Sequence, residues 1–204
     1  MQEFPVGRID PRGCRVNYSC RRIVTGVNAN GASCVISDGV VSDAFGLPGV
    51  LDVIELWQTT KDENSIPIRQ LVPDRGRHEL LPAPGGTKFL LEVAWPEKMG
   101  FGAANAKEMF EALRIESGVS GSLKSLHPGM HKSDTIDYVV ILSGEIHLIL
   151  ECEEVLVRTG DVIVQGGVPH SWSNRSSQPC VLLAVVVGVG GTDITQNHSQ
   201  GGTP

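Results

Sequence analysis

Several features are missing from this chain, and each absence narrows the reading. No run of basic residues occurs, and the net charge is -6 at pH 7. A nucleic-acid partner is not expected, because neutralising phosphates takes clustered Lys or Arg. The longest apolar run, Val181 to Val187, is far too short to cross a bilayer, so no membrane partner is expected. The start, MQEFPVGRID, lacks the basic and apolar segments of a secretory signal. The five cysteines (14, 20, 34, 152, 180) are odd in number and form no Cys-x-x-Cys pair. They are expected to be reduced thiols in a cytoplasmic protein. The sequons at Asn17, Asn174 and Asn197 would then be chance matches. There is no G-x-S-x-G, no phosphate loop, no G-x-G-x-x-G and no internal repeat.

What is present points to strands. At 204 residues, one domain is the default. Apolar residues make up 41%, enough for a sizeable core, and 24 Gly suit a β-rich chain with tight turns. Residues 1–20 read as an arm with little structure. RRIVTG (21–26) and ASCVISDG (32–39) flank Asn-Ala-Asn-Gly and predict a hairpin. LDVIELWQTT (51–60) predicts a third strand with imperfect alternation, and KFLLEVAW (88–95) a fourth. The polar residues 62–64 read as a loop.

Residues 96–126 break the strand pattern. Good helix formers from Gly102 predict one short helix, with Asn105 as its cap and Glu108 completing a capping box. Met109, Phe110 and Leu113 give it a narrow apolar side, and Gly118 to Ser125 follows as a flexible link. This insertion is either a lid or wall for a pocket or a decorated surface loop. Short strands then follow over 137–142, 145–150, 154–158, 161–165, 171–174 and 180–187, separated by tight turns. The tail, 188–204, is rich in Gly, Thr, Ser and Gln and is expected to be disordered.

Four of the six histidines fall between His127 and Asn174. Asp137 stands seven residues before Gly144, and His131 six before Asp137. Gly160, Gly167, His170 and Asn174 form a second spaced set. Residues two apart on a strand share a face, so His170, Trp172 and Asn174 share one, and Asp137, Val139 and Ile141 another. If both faces line one interior, His170 and Asp137 meet in the same cavity. Trp172 has the parity to stack a flat substrate there, and Gln165 can offer an amide. His127 either bends back to the pocket mouth or lies on the surface. Tyr138, of opposite parity to Asp137, is expected between layers, and His147 facing solvent. His78 and His198 stand apart from any constellation.

These two sets resemble the two motifs of the cupin superfamily. Motif one runs Gly, five residues, His-x-His, three or four residues, Glu, six residues, Gly. Here His131 takes the place of the first His, Ser133 replaces the second, and Asp137 replaces the Glu. Motif two runs Gly, Pro-x-Gly, two residues, His, three residues, Asn. Here one residue fewer follows Gly160, and Gln165 stands where Pro is usual. The resemblance implies an all-β fold, the cupin double-stranded β-helix or jelly-roll barrel, over 21–187 with an N-terminal strand extension. It also implies a homodimer, and exposed apolar edges of the N-terminal strands support pairing across it.

The resemblance implies a metal site as well, and the substitutions leave it incomplete. His131, Asp137 and His170 survive as a two-His, one-carboxylate set for Fe, Mn, Ni or Zn, with His127 as a possible fourth ligand. The alternative is a lost metal site in which His131 and His170 act as general acid and base and Asp137 orients one of them. His127, Ser133, Gln165 and Trp172 are the substrate-contact candidates. The expected function is a small-molecule enzyme acting by proton transfer or lyase chemistry on a carbonyl-bearing metabolite of secondary metabolism. A non-catalytic small-molecule-binding cupin and an Fe-dependent dioxygenase are the alternatives.

Overall fold

A computed structural model describes residues 18–61, 68, 79–97, 102–116, 118 and 121–189. The expected arm up to residue 17, the loop at 62–64, His78, His198 and the tail beyond 189 lie outside these residues. The chain is built almost wholly of strands: β1 (Cys20–Val27), β2 (Ser33–Val41), β3 (Ala44–Leu47), β4 (Leu51–Thr59), β5 (Thr87–Ala94), β6 (Thr135–Ser143), β7 (Glu145–Ile149), β8 (Glu154–Arg158), β9 (Val162–Gln165), β10 (Ser171–Ser173) and β11 (Cys180–Gly188). Two helices, α1 (Ala103–Leu113) and α2 (Gly121–Lys124), lie between β5 and β6. Among the described residues no helix is long and apolar enough to cross a membrane.

Two sheets make the barrel. The larger runs β3-β4-β5-β11-β6-β9 and the smaller β10-β7-β8. An isolated bridge between His131 and His170 ties them at one end, through reciprocal backbone hydrogen bonds of 2.9 Å. The hairpin β1-β2 stands as its own two-stranded sheet. The β6–β7 turn needs glycine at Gly144: φ is 80°, and a Cβ there would lie 2.6 Å from the Pro179 carbonyl oxygen.

Alternation sorts each strand between two environments. From the large sheet, Leu90, Ala94, Val139, Ile141, Leu182, Ala184 and Val186 face the barrel interior. They meet Ile146 and Val157 of the small sheet and Leu113 of α1. The opposite parity on β4, β5 and β11 forms a second cluster with Tyr18. The imperfect alternation of β4 has a local cause: its register with β5 shifts between Glu55 and Trp57.

Four expectations change. Asn105 is not the helix cap; Gly102 is, and the Asn105 side chain at the third helical position accepts the Gly102 N–H at 3.1 Å. The expected link at 118–125 contains α2, and β3 was not foreseen. Tyr138 does not pack between layers but is 49% exposed, because that face of β6 and β9 is uncovered by any described element. His147 does not face solvent freely. It is half-buried between β8 and β10, and its Nδ1 has no hydrogen-bond partner among the described residues.

Candidate functional site

The barrel encloses a cavity of about 440 Å³, within the range of small-molecule sites. His127, His131, Ser133, Asp137, Gln165, His170 and Trp172 all line it. The strand-face reading thus holds for Asp137 with Val139 and for His170 with Trp172. Helix α1 supplies Asn105, Glu108, Met109, Phe110 and Leu113 to the wall, so the insertion is part of the cavity rather than a surface decoration.

His131 and His170 form a close pair, their rings 4.3 Å apart between centroids. The bridge that joins their backbones sets this spacing. Phe110 packs edge-on against His131 at 5.9 Å, and Trp172 against His170 at 6.4 Å. The His131 Nδ1–H donates to the Gly129 carbonyl at 3.0 Å, and the His170 Nδ1–H donates to the Val168 carbonyl at 2.9 Å. A carbonyl can only accept, so each ring carries its proton on Nδ1 and leaves Nε2 as a bare acceptor. Burial pushes both imidazoles toward the neutral form, and in His170, held down to about 3, the neighbouring His131 adds to it.

Asp137 sits on β6, opposite Gln165 of β9. Ser133 and Thr135 share a hydroxyl hydrogen bond of 2.7 Å, and the Thr135 hydroxyl hydrogen-bonds to the Asp137 carboxylate. Ser133 therefore orients the carboxyl at one remove. Burial raises the Asp137 pKa, against the Thr135 hydrogen bond, which lowers it. Its Oδ1 is shielded from solvent and has no hydrogen-bond partner among the described residues.

His127 turns back to the cavity rather than out to the surface, and it is buried. The Gly129 N–H donates to its Nδ1 at 3.1 Å, so Nε2 carries the proton and donates to Glu97 Oε1 at 2.9 Å. The Ser171 hydroxyl also donates to Nδ1, at 2.6 Å. A Cβ on Gly129 would lie 2.9 Å from Ser171 Oγ, so glycine is what lets these groups close up. Glu97 in turn accepts from Ser173 at 2.7 Å. Burial would raise the Glu97 pKa, but the bonds from His127 and Ser173 and the charge of Arg175 hold it below the usual carboxylate range.

The residue that the sequence reading missed is Glu92. It lies on the inward parity of β5 with Leu90 and Ala94, and it lines the cavity. It has no hydrogen-bond partner among the described residues. Burial, reinforced by the charge of Asp137, pushes its pKa up to about 7. The available signal was a single carboxylate at an inward position of an otherwise apolar strand.

A metal fits this set poorly. The two imidazoles have the neutral, carbonyl-anchored form of metal ligands. Ser133 is committed to Thr135, and both ring nitrogens of His127 are taken. Among the described residues no three His, Cys, Asp or Glu side chains stand together so as to hold one ion. The expected triad of His131, Asp137 and His170 shares a cavity but not a coordination sphere.

Residues 120–186 match a protein-family model, Cupin_2, the cupin domain. Phomopsin biosynthesis cluster protein C' of Diaporthe leptostromiformis is 50% identical over 48 residues, covering 23% of this chain and 25% of that protein. The chain thus spans about a quarter of the length of that relative. The cupin-domain-containing oxidoreductase srdD of Neurospora crassa is 36% identical over 74 residues, covering 34% of this chain and 38% of the relative. Among solved structures, AerE from Microcystis aeruginosa matches 74% of this chain and 47% of its own at 14% identity, with a TM-score of 0.40. Both motif halves lie within residues 120–186, and that third of the chain matches the cupin domain.

Proposed function

We propose that the chain is a small-molecule enzyme that moves protons on a carbonyl-bearing metabolite, in the manner of a dehydratase, isomerase, cyclase or decarboxylase. One observation carries the reading. A single cavity holds a carboxyl, Glu92, biased toward its protonated form, and two imidazoles biased toward their neutral form. Environments that drive titratable groups apart in this way mark acid and base assignments.

The magnitudes divide the roles. A proton carrier works best with a pKa near the working pH, and Glu92, at about 7, meets that condition. His170, at about 3, holds a proton too weakly to carry it. Glu92 is therefore the acid and base, and the bare Nε2 atoms of His131 and His170 accept hydrogen bonds from the substrate. Ionised Glu92 takes a proton from carbon beside the carbonyl and returns it at another position or to a departing hydroxyl. Asp137 stays beside it and keeps its pKa high. Deuterium exchange from D2O into simple ketones such as phenylacetone tests the first half-step. Wild type should catalyse it, and exchange no faster than in buffer would refute the reading.

A second reading is favoured by the names of the relatives, several of which are cupin-domain-containing oxidoreductases. In it the imidazole pair holds a divalent transition metal weakly, with Asp137 drawn in as a third ligand. Metal analysis of protein purified without added metal or chelator decides between the two. The carboxylate reading expects substoichiometric metal and activity that survives chelator. Stoichiometric metal, lost in the His170→Ala variant together with turnover, would move the chemistry to the metal.

A homodimer through the N-terminal strands belongs to the same proposal. The β1-β2 hairpin leaves Ile23, Val35 and Val40 at least half exposed, at 50%, 56% and 72%. Sedimentation should show a dimer at micromolar concentration that weakens when Ile23, Val35 and Val40 are changed to Ser. A monomeric wild type ends the idea.

A further inference from the structure

The charge balance of the cavity wall is one-sided. Glu92, Glu97, Glu108 and Asp137 line it, and among the described lining residues there is no Lys or Arg. Lys88 shares the inward parity of β5 but is not in the cavity wall, and it is ion-paired with Glu55. Some donors in the wall are spent, while the Gln165 and Asn105 amide N–H groups and the Trp172 indole N–H have no partner among the described residues. The Asn174 amide donates to the Ala94 and Gln178 carbonyls, the Trp95 indole N–H to Asp52, and the Ser171 hydroxyl to His127. Several acceptors are also without a donor. His170 is 97% buried, and its Nε2 has no partner among the described residues. His131 Nε2, the Glu92 carboxyl and Asp137 Oδ1 likewise have no partner there, and of these atoms Asp137 Oδ1 is shut off from solvent.

A buried acceptor without a donor, as at Asp137 Oδ1, is costly, and that cost is recovered when a ligand supplies N–H or O–H groups. Among the described residues no three His, Cys, Asp or Glu side chains are grouped so as to hold one metal ion. A ligand with an N–H-bearing cation at one end can supply such donors. A carboxylate or phosphate would instead bring further acceptors into a wall that already repels them.

We infer that the cavity takes a substrate bearing a protonated amine, with its ammonium against Asp137 and its apolar body against Val139, Leu182, Ala184, Val186 and Trp172. The carboxyl torsion of Asp is soft, so a small turn presents Oδ1 to the ammonium. An ammonium carries up to three N–H donors, and each can meet a carboxylate at charge-assisted strength. The aliphatic stretch from β6 and β11 then buries the rest of the molecule, as in other small-molecule sites. This inference rests on the proposed reading insofar as the cavity is where the substrate binds, but it does not depend on which group moves the proton.

Three probes of matched size test it on the full-length protein: benzylamine, benzyl alcohol and benzoate, compared by calorimetric titration at neutral pH. A charge-assisted hydrogen bond in place of a neutral one predicts that benzylamine binds about 10- to 100-fold tighter than benzyl alcohol, with benzoate weakest. Asp137→Asn should remove most of that preference while benzyl alcohol still binds. Should that variant fail to fold, the ranking in wild type decides alone. Benzoate binding as tightly as benzylamine, or no binding by benzylamine, overturns the inference. His170→Ala separates the two readings, because it removes an acceptor without changing the charge at Asp137 and should leave the amine first. If the ranking holds while ketone exchange is absent in wild type, the proton-transfer reading fails and the amine site stands. If exchange is present and the ranking fails, the reverse follows.

Discussion

Glu92→Gln should cut turnover by about 10²- to 10⁴-fold, the usual worth of a positioned general acid or base. Gln keeps the shape and a hydrogen-bonding end but cannot take up or release a proton. The pH–rate profile is the sharper measurement. As a base Glu92 acts ionised and as an acid protonated, so wild type should show a limb near pH 7, where it titrates. The residual activity of the variant should lack that limb. His170→Ala should behave differently. It removes an acceptor whose pKa is held to about 3, so it should raise KM and lower kcat without moving the limb. A Glu92→Gln enzyme with the wild-type rate and limb would remove Glu92 from the mechanism.

The same carboxyl should dominate the pH dependence of stability. Its folded pKa of about 7 stands above the unfolded carboxylate value of about 4.3. Between these values the unfolded chain gives up a proton that the folded chain keeps. Stability is therefore fully present below about pH 4 and is lost as pH rises through 7. The shift corresponds to about 4 kcal/mol, an order-of-magnitude figure, lost by pH 8. Glu97 has the opposite sign: its lowered pKa contributes stability above the unfolded value, lost as pH falls through the folded one. Glu92→Gln should thus be more stable than wild type at pH 8 and nearly equal to it at pH 4 by urea unfolding. Equal stability of the two proteins at both pH values would show that Glu92 is not held protonated by the fold.

Local pattern and spacing decided the architecture. Short β-branched runs with tight turns read as strands, and period-two alternation placed Asp137 with Val139, and His170 with Trp172, on inward faces. The motif spacing placed His131 and His170 in one site before any distance was known. These features are legible because they depend on neighbours in the chain. A strand face or a turn glycine is specified within a few residues of itself.

What the site can do was decided elsewhere. Glu92 acquires its raised pKa only because the barrel encloses it and brings Asp137 of another strand near it. His127 stands just before a Pro-Gly turn, and its local sequence also reads as surface. Its place in the wall comes from Glu97 and Ser171, 30 residues before it and 44 after it. The imidazole pair owes its depressed basicity to burial and mutual proximity across two strands. Desolvation and hydrogen-bond partnership depend on which distant residues exclude water from a group. The amino-acid order by itself supplied the barrel and the candidate histidines, and tertiary enclosure alone set which groups hold a proton, which accept one, and which are left without a partner.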